Sequence, residues 1–222
     1  MNLQVLVLPK TLNKINGYGL GPSYNLTNIY YVGTQNVTLT TSSALSIGTS
    51  YTISTPSSVK QTYWQYSTSK KALTKTLTVK TNGLGTGVHY AYCTTTKDLV
   101  IYGKGSMTNY ASATAATNIQ LYKTTATRIV VTENISHIGN HAFNGFTAAT
   151  VIFVSPKTTT FGTYAFNGCS AVTKFIYDGS KDLSTCGNLA LNGLTSATFY
   201  TPYEYQSSKF CSKTPTKSQP PK

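Results

Sequence analysis

Three groupings in the chain have residue types that could do chemistry. Glu133, His137 and His141 fall four apart, the spacing that sets metal ligands on one helical face. Asp178 and Asp182 are the only acidic pair close in sequence and could hold a cation. The run Asn-Gly-Leu-Gly-Thr-Gly at 82–87 looks like a phosphate loop, but a strand-like run follows it where such a loop needs a helix, so it reads as a hairpin turn. Gly103-Lys104-Gly105-Ser106 lacks the Gly-Lys-Ser order of a nucleotide loop. No Gly-x-Ser-x-Gly elbow occurs, and no cysteine sits in an activating motif. With only 5 Asp+Glu, paired acid–base chemistry has little to draw on. No catalytic residue, metal or cofactor is expected, and the chain reads as a non-enzyme.

The elements that must position these residues are repeats. Ile138-Gly139 is followed by Ala142-Phe143-Asn144-Gly145, Phe161-Gly162 by Ala165-Phe166-Asn167-Gly168, and Cys186-Gly187 by Ala190-Leu191-Asn192-Gly193, at periods of 23 and 25 residues. A period in this range indicates a solenoid, whose units must stack to bury their apolar faces. Each unit carries a β-rich run (residues 128–131, 151–154, 174–177), a polar turn, the Ala-Phe or Ala-Leu pair and Asn-Gly. The large residue is expected to fill each coil and the alanine to allow close packing, with Asn-Gly accepting positive φ at a corner. In this register His137 corresponds to Thr160 and His141 to Tyr164, so both histidines read as variable turn positions. Asp178 and Asp182 fall in the lengthened loop of the third copy and read as solvated.

The pattern resembles the BspA-like leucine-rich repeats, whose units read Ile-Gly-x-x-Ala-Phe-x-(Gly)-Cys-x-x-Leu. Residues 138–143 and 161–169 match it, whereas Cys186 and Leu191 depart from it in the third copy. The resemblance implies a cell-surface or adhesive role with no catalytic residues, and it names no ligand. The N-terminus repeats the same theme: residues 20–33 align without a gap on 166–179, setting Ile29 over Phe175, Tyr31 over Tyr177 and Gly33 over Gly179.

Between about 36 and 95 the repeat gives way to alternation. Runs at 37–40, 51–54, 63–66, 73–80 and 88–94 read as strands of a small antiparallel, Ig-like sandwich with Trp64 as a core plug. The expected fold is therefore mainly β, a leucine-rich-repeat-type solenoid (split, BspA-like) carrying an inserted β-sandwich. Its segments are a repeat segment at 1–35, the sandwich at 36–95, a β cap or connector at 96–126, where residues 98–110 resemble the segment that precedes such repeats, a repeat block at 127–211, where residues 203–210 resemble the short helical closure of such arrays, and a flexible tail at 212–222.

The composition suits a β-rich surface carried by hydroxyls and amides, since charged residues make up only 10%. The net charge of +13 comes from 18 Lys+Arg against 5 Asp+Glu, but Arg128 is the only arginine and the lysines are spread from Lys10 to Lys222. That distribution argues against specific nucleic-acid binding and leaves anionic glycans or an acidic partner as the electrostatic alternative. The four cysteines could make two disulfides in a secreted context, but Cys169 and Cys186 occupy repeat-core places and read as buried thiols, while Cys93 and Cys211 are unassigned. Asn25, Asn36 and Asn134 begin N-x-[ST] sequons, candidate glycosylation sites in a secretory host. Residues 1–8 lack the basic start and long apolar run of a leader, and no stretch is long enough to span a membrane. If the chain is exported, either a leader is removed from a longer precursor or export takes another route, such as lysis releasing a virus.

Strand alternation marks a face. With Ile29, Ile129, Ile152 and Phe175 turned inward, Val7, Tyr30, Val130, Phe153 and Ile176 form an apolar ladder on the outer side of the sheet. Such a face is normally covered, here by the 36–95 module or by another subunit or ligand. The apolar first strand, residues 3–8, is expected to need cover as well. The sequence therefore points to a structural or adhesive subunit of an extracellular or virion assembly, a phage fibre or decoration protein or a cell-surface adhesin. It would self-associate or bind a protein or glycan through solenoid surfaces. The alternative is a lysine-driven polyanion-binding module.

Overall fold

The computed structural model describes residues 5–17, 19–20, 26–45, 51–67, 69–81, 83–115, 117–132 and 134–218. The chain divides into two units, Met1–Val79 with Cys93–Thr95, and Lys80–Tyr92 with Thr96–Pro221. Both are β-built; the α-helix Thr117–Gln120 has four residues.

In the first unit, Val5–Leu8, Asn28–Tyr31, Thr52–Ser54 and Ser69–Thr74 lie side by side and parallel, and Tyr63–Tyr66 closes the sheet antiparallel to Ser69–Thr74. A second short ladder pairs Lys14–Ile15 with Thr38–Leu39. Leu8, Ile29, Tyr31, Ile53 and Leu73 turn inward against Ile15, Leu39 and Trp64. Trp64 is the expected plug, packed edge-on to Tyr31 at 5.8 Å. The expected sandwich over 36–95 does not form. Thr38–Leu39 and Thr52–Ser54 instead extend the parallel ladders begun by residues 5–15, so the first repeat segment runs on past residue 35. Two-residue alternation is common to solenoid and sandwich strands, and without the Ala-Phe signature the sequence had nothing to separate them.

In the second unit one parallel sheet runs Asp98–Gly103, Arg128–Val131, Val151–Val154, Lys174–Tyr177, Thr198–Thr201 and Thr216–Lys217, with Val88–Cys93 antiparallel to the first of these. A second parallel ladder runs Gly105–Ser106, Ile135–Ile138, Thr160–Phe161 and Thr185–Cys186. The β-branched runs suit such strands, and the coils stack in step: Arg128 opposes Val151, which opposes Lys174. The segment expected as a cap, 96–126, is thus itself the first coil of this stack.

The repeat residues have the roles their shapes suggested. Ala142, Ala165 and Ala190 are buried, and Phe143 stacks on Phe166 at 5.2 Å. Each buried aromatic contributes roughly 1.5–3 kcal/mol. Gly145, Gly168 and Gly193 hold φ of 79°, 71° and 82° at the corners. The glycine after Ile, Phe or Cys has a different task. A Cβ on Gly162 or Gly187 would lie 2.4 Å or 2.3 Å from backbone atoms of the preceding coil, so only glycine permits that approach.

The C-terminal end departs from expectation. Residues 203–210 form turns, not a helix, and bury Tyr205 and Phe210. Residues 212–218 are no loose tail: Thr216–Lys217 pairs with Tyr200–Thr201, and Phe210 bridges Lys213. The open edge of Thr198–Thr201 supplies main-chain partners, so ordering needs no apolar side chain. A disulfide joins Cys186 to Cys211. Cys186 therefore departs from its expected role as a buried thiol: it is exposed, because Thr185–Cys186 is the edge strand of its ladder, and it is oxidised with Cys211.

Candidate interaction face

The outer face of the second unit's sheet is built by register. Val100, Val130, Phe153, Ile176 and Tyr200 stand opposite one another on successive strands. In the first unit Val7 opposes Tyr30, which opposes Ser54. The residues of the expected ladder are therefore divided between two sheets, one in each unit, and they differ in access. Tyr30, Val100 and Val130 are buried, whereas Val7, Phe153, Ile176 and Tyr200 are half-buried. Phe153, Ile176 and Tyr200 leave a contiguous apolar strip across three adjacent strands. Tyr200 extends the strip beyond the ladder expected from sequence; its signal is that Phe199 and Tyr200 repeat the in–out order of Phe175 and Ile176.

One end of this face carries the sole arginine. Arg128 Nε donates to Asp98 Oδ1 at 2.8 Å and Nη2 donates to Asp98 Oδ2, a bidentate pair on neighbouring strands. Asp98 is 1% exposed and the Arg128 side chain 22%. The arginine is thereby committed to a buried carboxylate rather than displayed to a polyanion.

The histidines do not converge. His137 bridges coils, with Nε2 2.9 Å from Asn109 Oδ1 and Nδ1 2.7 Å from the Thr160 hydroxyl, and burial lowers its pKa. His141 stacks on Tyr164 at 5.0 Å and its Nδ1 accepts from Asn144 Nδ2 at 3.1 Å. Glu133 lies outside the described residues. Among the described residues no group of three His, Cys, Asp or Glu side chains could hold a metal. Asp178 is buried, contrary to the solvated reading, because its strand continues into the sheet and its N–H donates to Val154 O at 3.0 Å. Asp182 is exposed. Burial, aided by both carboxylates, pushes the Tyr177 hydroxyl up to about 12.

Cys169 is a buried thiol whose Sγ donates to Phe143 O at 3.2 Å, and burial pushes its pKa up to about 12, away from thiolate chemistry. Cys93 is buried beside the hydroxyls of Ser54 and Thr76. The glycine-rich run at 83–87 pairs its backbone with the first coil, Leu84 O accepting from Thr108 N–H and Gly87 O from Lys104 N–H. Of the sequons, Asn36 and Asn134 are exposed and Asn25 lies outside the described residues.

The sequence reading also missed a ladder of amides. Asn167 Nδ2 donates to Asn144 Oδ1 at 3.1 Å, and Asn192 Nδ2 to Asn167 Oδ1 at 2.8 Å. Beyond tolerating the corner, the recurring asparagine side chain ties each coil to the next.

Residues 114–218 match the family model described as BspA type Leucine rich repeat region (6 copies). No curated protein matches the chain. Among solved structures, a leucine-rich repeat protein from Eubacterium ventriosum is similar, at 18% identity and a TM-score of 0.39, over 59% of this chain and 39% of its own length. The chain thus spans well under half of that protein. Among the described residues no helix is long and apolar enough to cross a membrane. The period and the stacked coils agree with that match: residues 114–218, just under half of the chain, match the BspA-type leucine-rich repeats.

Proposed function

We propose that the chain is a non-enzymatic structural and adhesive subunit of an extracellular or virion assembly that associates with further copies through its solenoid surfaces. The observation that carries this reading is the strip Phe153–Ile176–Tyr200, half-buried and in register on the outer face of a parallel sheet. Parallel sheets are normally covered on both faces, so a strip of this kind favours a partner surface. The net charge of +13 opposes close approach of copies, and contact through this face must therefore be apolar and persist when salt screens the charge. The exposed sequons Asn36 and Asn134 would accept glycans in a host that glycosylates secreted proteins.

A lysine-driven polyanion module is the second reading. It is weakened because the one arginine is held by Asp98. The readings separate in solution. Phe153→Lys and Ile176→Lys should abolish concentration-dependent growth in mass, measured by light scattering, with the circular dichroism spectrum retained. Variants that associate like the parent chain would remove this face from the account.

A further inference from the structure

Two exposed features of the second unit lie apart from the apolar strip on its sheet. The first is an open cleft of about 410 Å³ beside the first coil, walled by Thr114, Gln120, Leu121, Lys123 and Asn144. Leu121, in its wall, is 74% exposed, the highest value among the exposed large apolar side chains described. The second is Tyr203, 66% exposed, just past the last full coil strand; the next most exposed is Leu189 at 43%. Beside Tyr203 stands Glu204, an exposed carboxylate in a chain with only 5 Asp+Glu. Among the described residues the one ion pair is Arg128–Asp98, so neither Glu204 nor Lys123 is engaged in one.

We propose that Tyr203 and Glu204 of one copy enter the Leu121–Lys123 cleft of a second copy, joining the chains head to tail. This rests on the self-associating reading above and gives it a specific contact. The chemistry is complementary: an aromatic ring with a carboxylate beside it meets the exposed Leu121 side chain with the Lys123 ammonium beside it.

Position sets the geometry. The cleft belongs to the coil of Asp98–Gly103, and Tyr203 follows Thr198–Thr201, four strand steps along the same sheet. At about 4.8 Å per step the two features lie some 19 Å apart along the stack. A contact between different patches on identical chains is heterologous, so it propagates into a ring or an open filament.

Charge exchange tests this. Glu204→Lys raises the formal charge from +13 to +15, and Lys123→Glu lowers it to +11, each change being two units. If net repulsion alone governed association, Lys123→Glu would associate more than the parent chain. The head-to-tail contact predicts that each variant alone associates at least about tenfold more weakly, because like charges then meet at the contact. An equimolar mixture should recover, since each knob then finds a socket of opposite sign. Tyr203→Ala, at an exposed position that folding does not depend on, should weaken association and not be rescued by mixing. Light scattering reads every arm. Association unchanged in both charge variants overturns the contact, as does a mixture that fails to recover. If those results accompany loss of association in Ile176→Lys, the outer-face reading stands without this one; a parent chain that stays monomeric overturns both.

Discussion

Arg128 shows how a single residue turns a composition into a constraint. A chain with 18 Lys+Arg and one arginine gives that arginine to Asp98, 1% exposed, on the adjacent strand. Arg128→Ala would leave a buried carboxylate without its guanidinium and should cost about 3–5 kcal/mol of stability, read from denaturant unfolding. A loss below 1 kcal/mol would mean that other contacts hold Asp98. His137 supplies a pH signature. Its folded pKa lies below the unfolded value of 6.5 because burial disfavours the charged ring. Above 6.5 neither state takes up a proton; as pH falls below 6.5 the unfolded state binds one first, so stability declines down to the folded pKa. His137→Gln should flatten that part of the stability profile relative to the parent chain. At this scale the sequence was legible where side-chain shape decides, as for Phe143, Ala142 and Gly145. It was silent on Asp98–Arg128, because a pair thirty residues apart becomes visible only once strand register is known.

Coils are the elements here, and their cohesion has two sources. Inside, Phe143, Phe166 and Phe175 stack or meet edge-on; at the corner, Asn144, Asn167 and Asn192 pass a hydrogen bond along the row. Asn167→Ala removes a donor to one coil and an acceptor to the next. About 1–3 kcal/mol should be lost, roughly twice a single net hydrogen bond, and Asn192→Ala should lose about half as much. Equal losses would show that the amides act only through corner conformation. The repeat made these coils legible wherever Ala-Phe-Asn-Gly recurs. Where that signature lapses, at residues 36–74, alternation alone suggested a sandwich although the strands continue parallel ladders. Period-2 pattern reports that a strand has two faces and says nothing of which strand lies beside it. Recurrence of detail is the better guide: Tyr31 Oη donates to Leu12 O and Tyr177 Oη to Thr158 O, each 19 residues back, as the alignment of those tyrosines implied.

For the whole molecule, the C-terminal end of the second unit closes the stack with a disulfide and a last strand pairing, and the proposed partnership falls to the outer face. Cys186–Cys211 ties the edge strand Thr185–Cys186 to the segment that seats Phe210 among Phe161, Phe175, Tyr177 and Phe199. Cys211→Ser should lower stability by about 3 kcal/mol, the scale for a loop of this size, and reductant should destabilise the parent chain but not the variant. The closure was illegible in sequence because residues 212–218 hold their place through main-chain pairing and one disulfide, neither of which leaves an apolar pattern. What the assembled surfaces do is decided by one measurement, the mass of the purified parent chain by light scattering across a concentration series at low and high salt. The account predicts growth to large species that persists at high salt, because an apolar strip joins copies whose net charge of +13 repels them. A monomer at every concentration and both salt levels would contradict it.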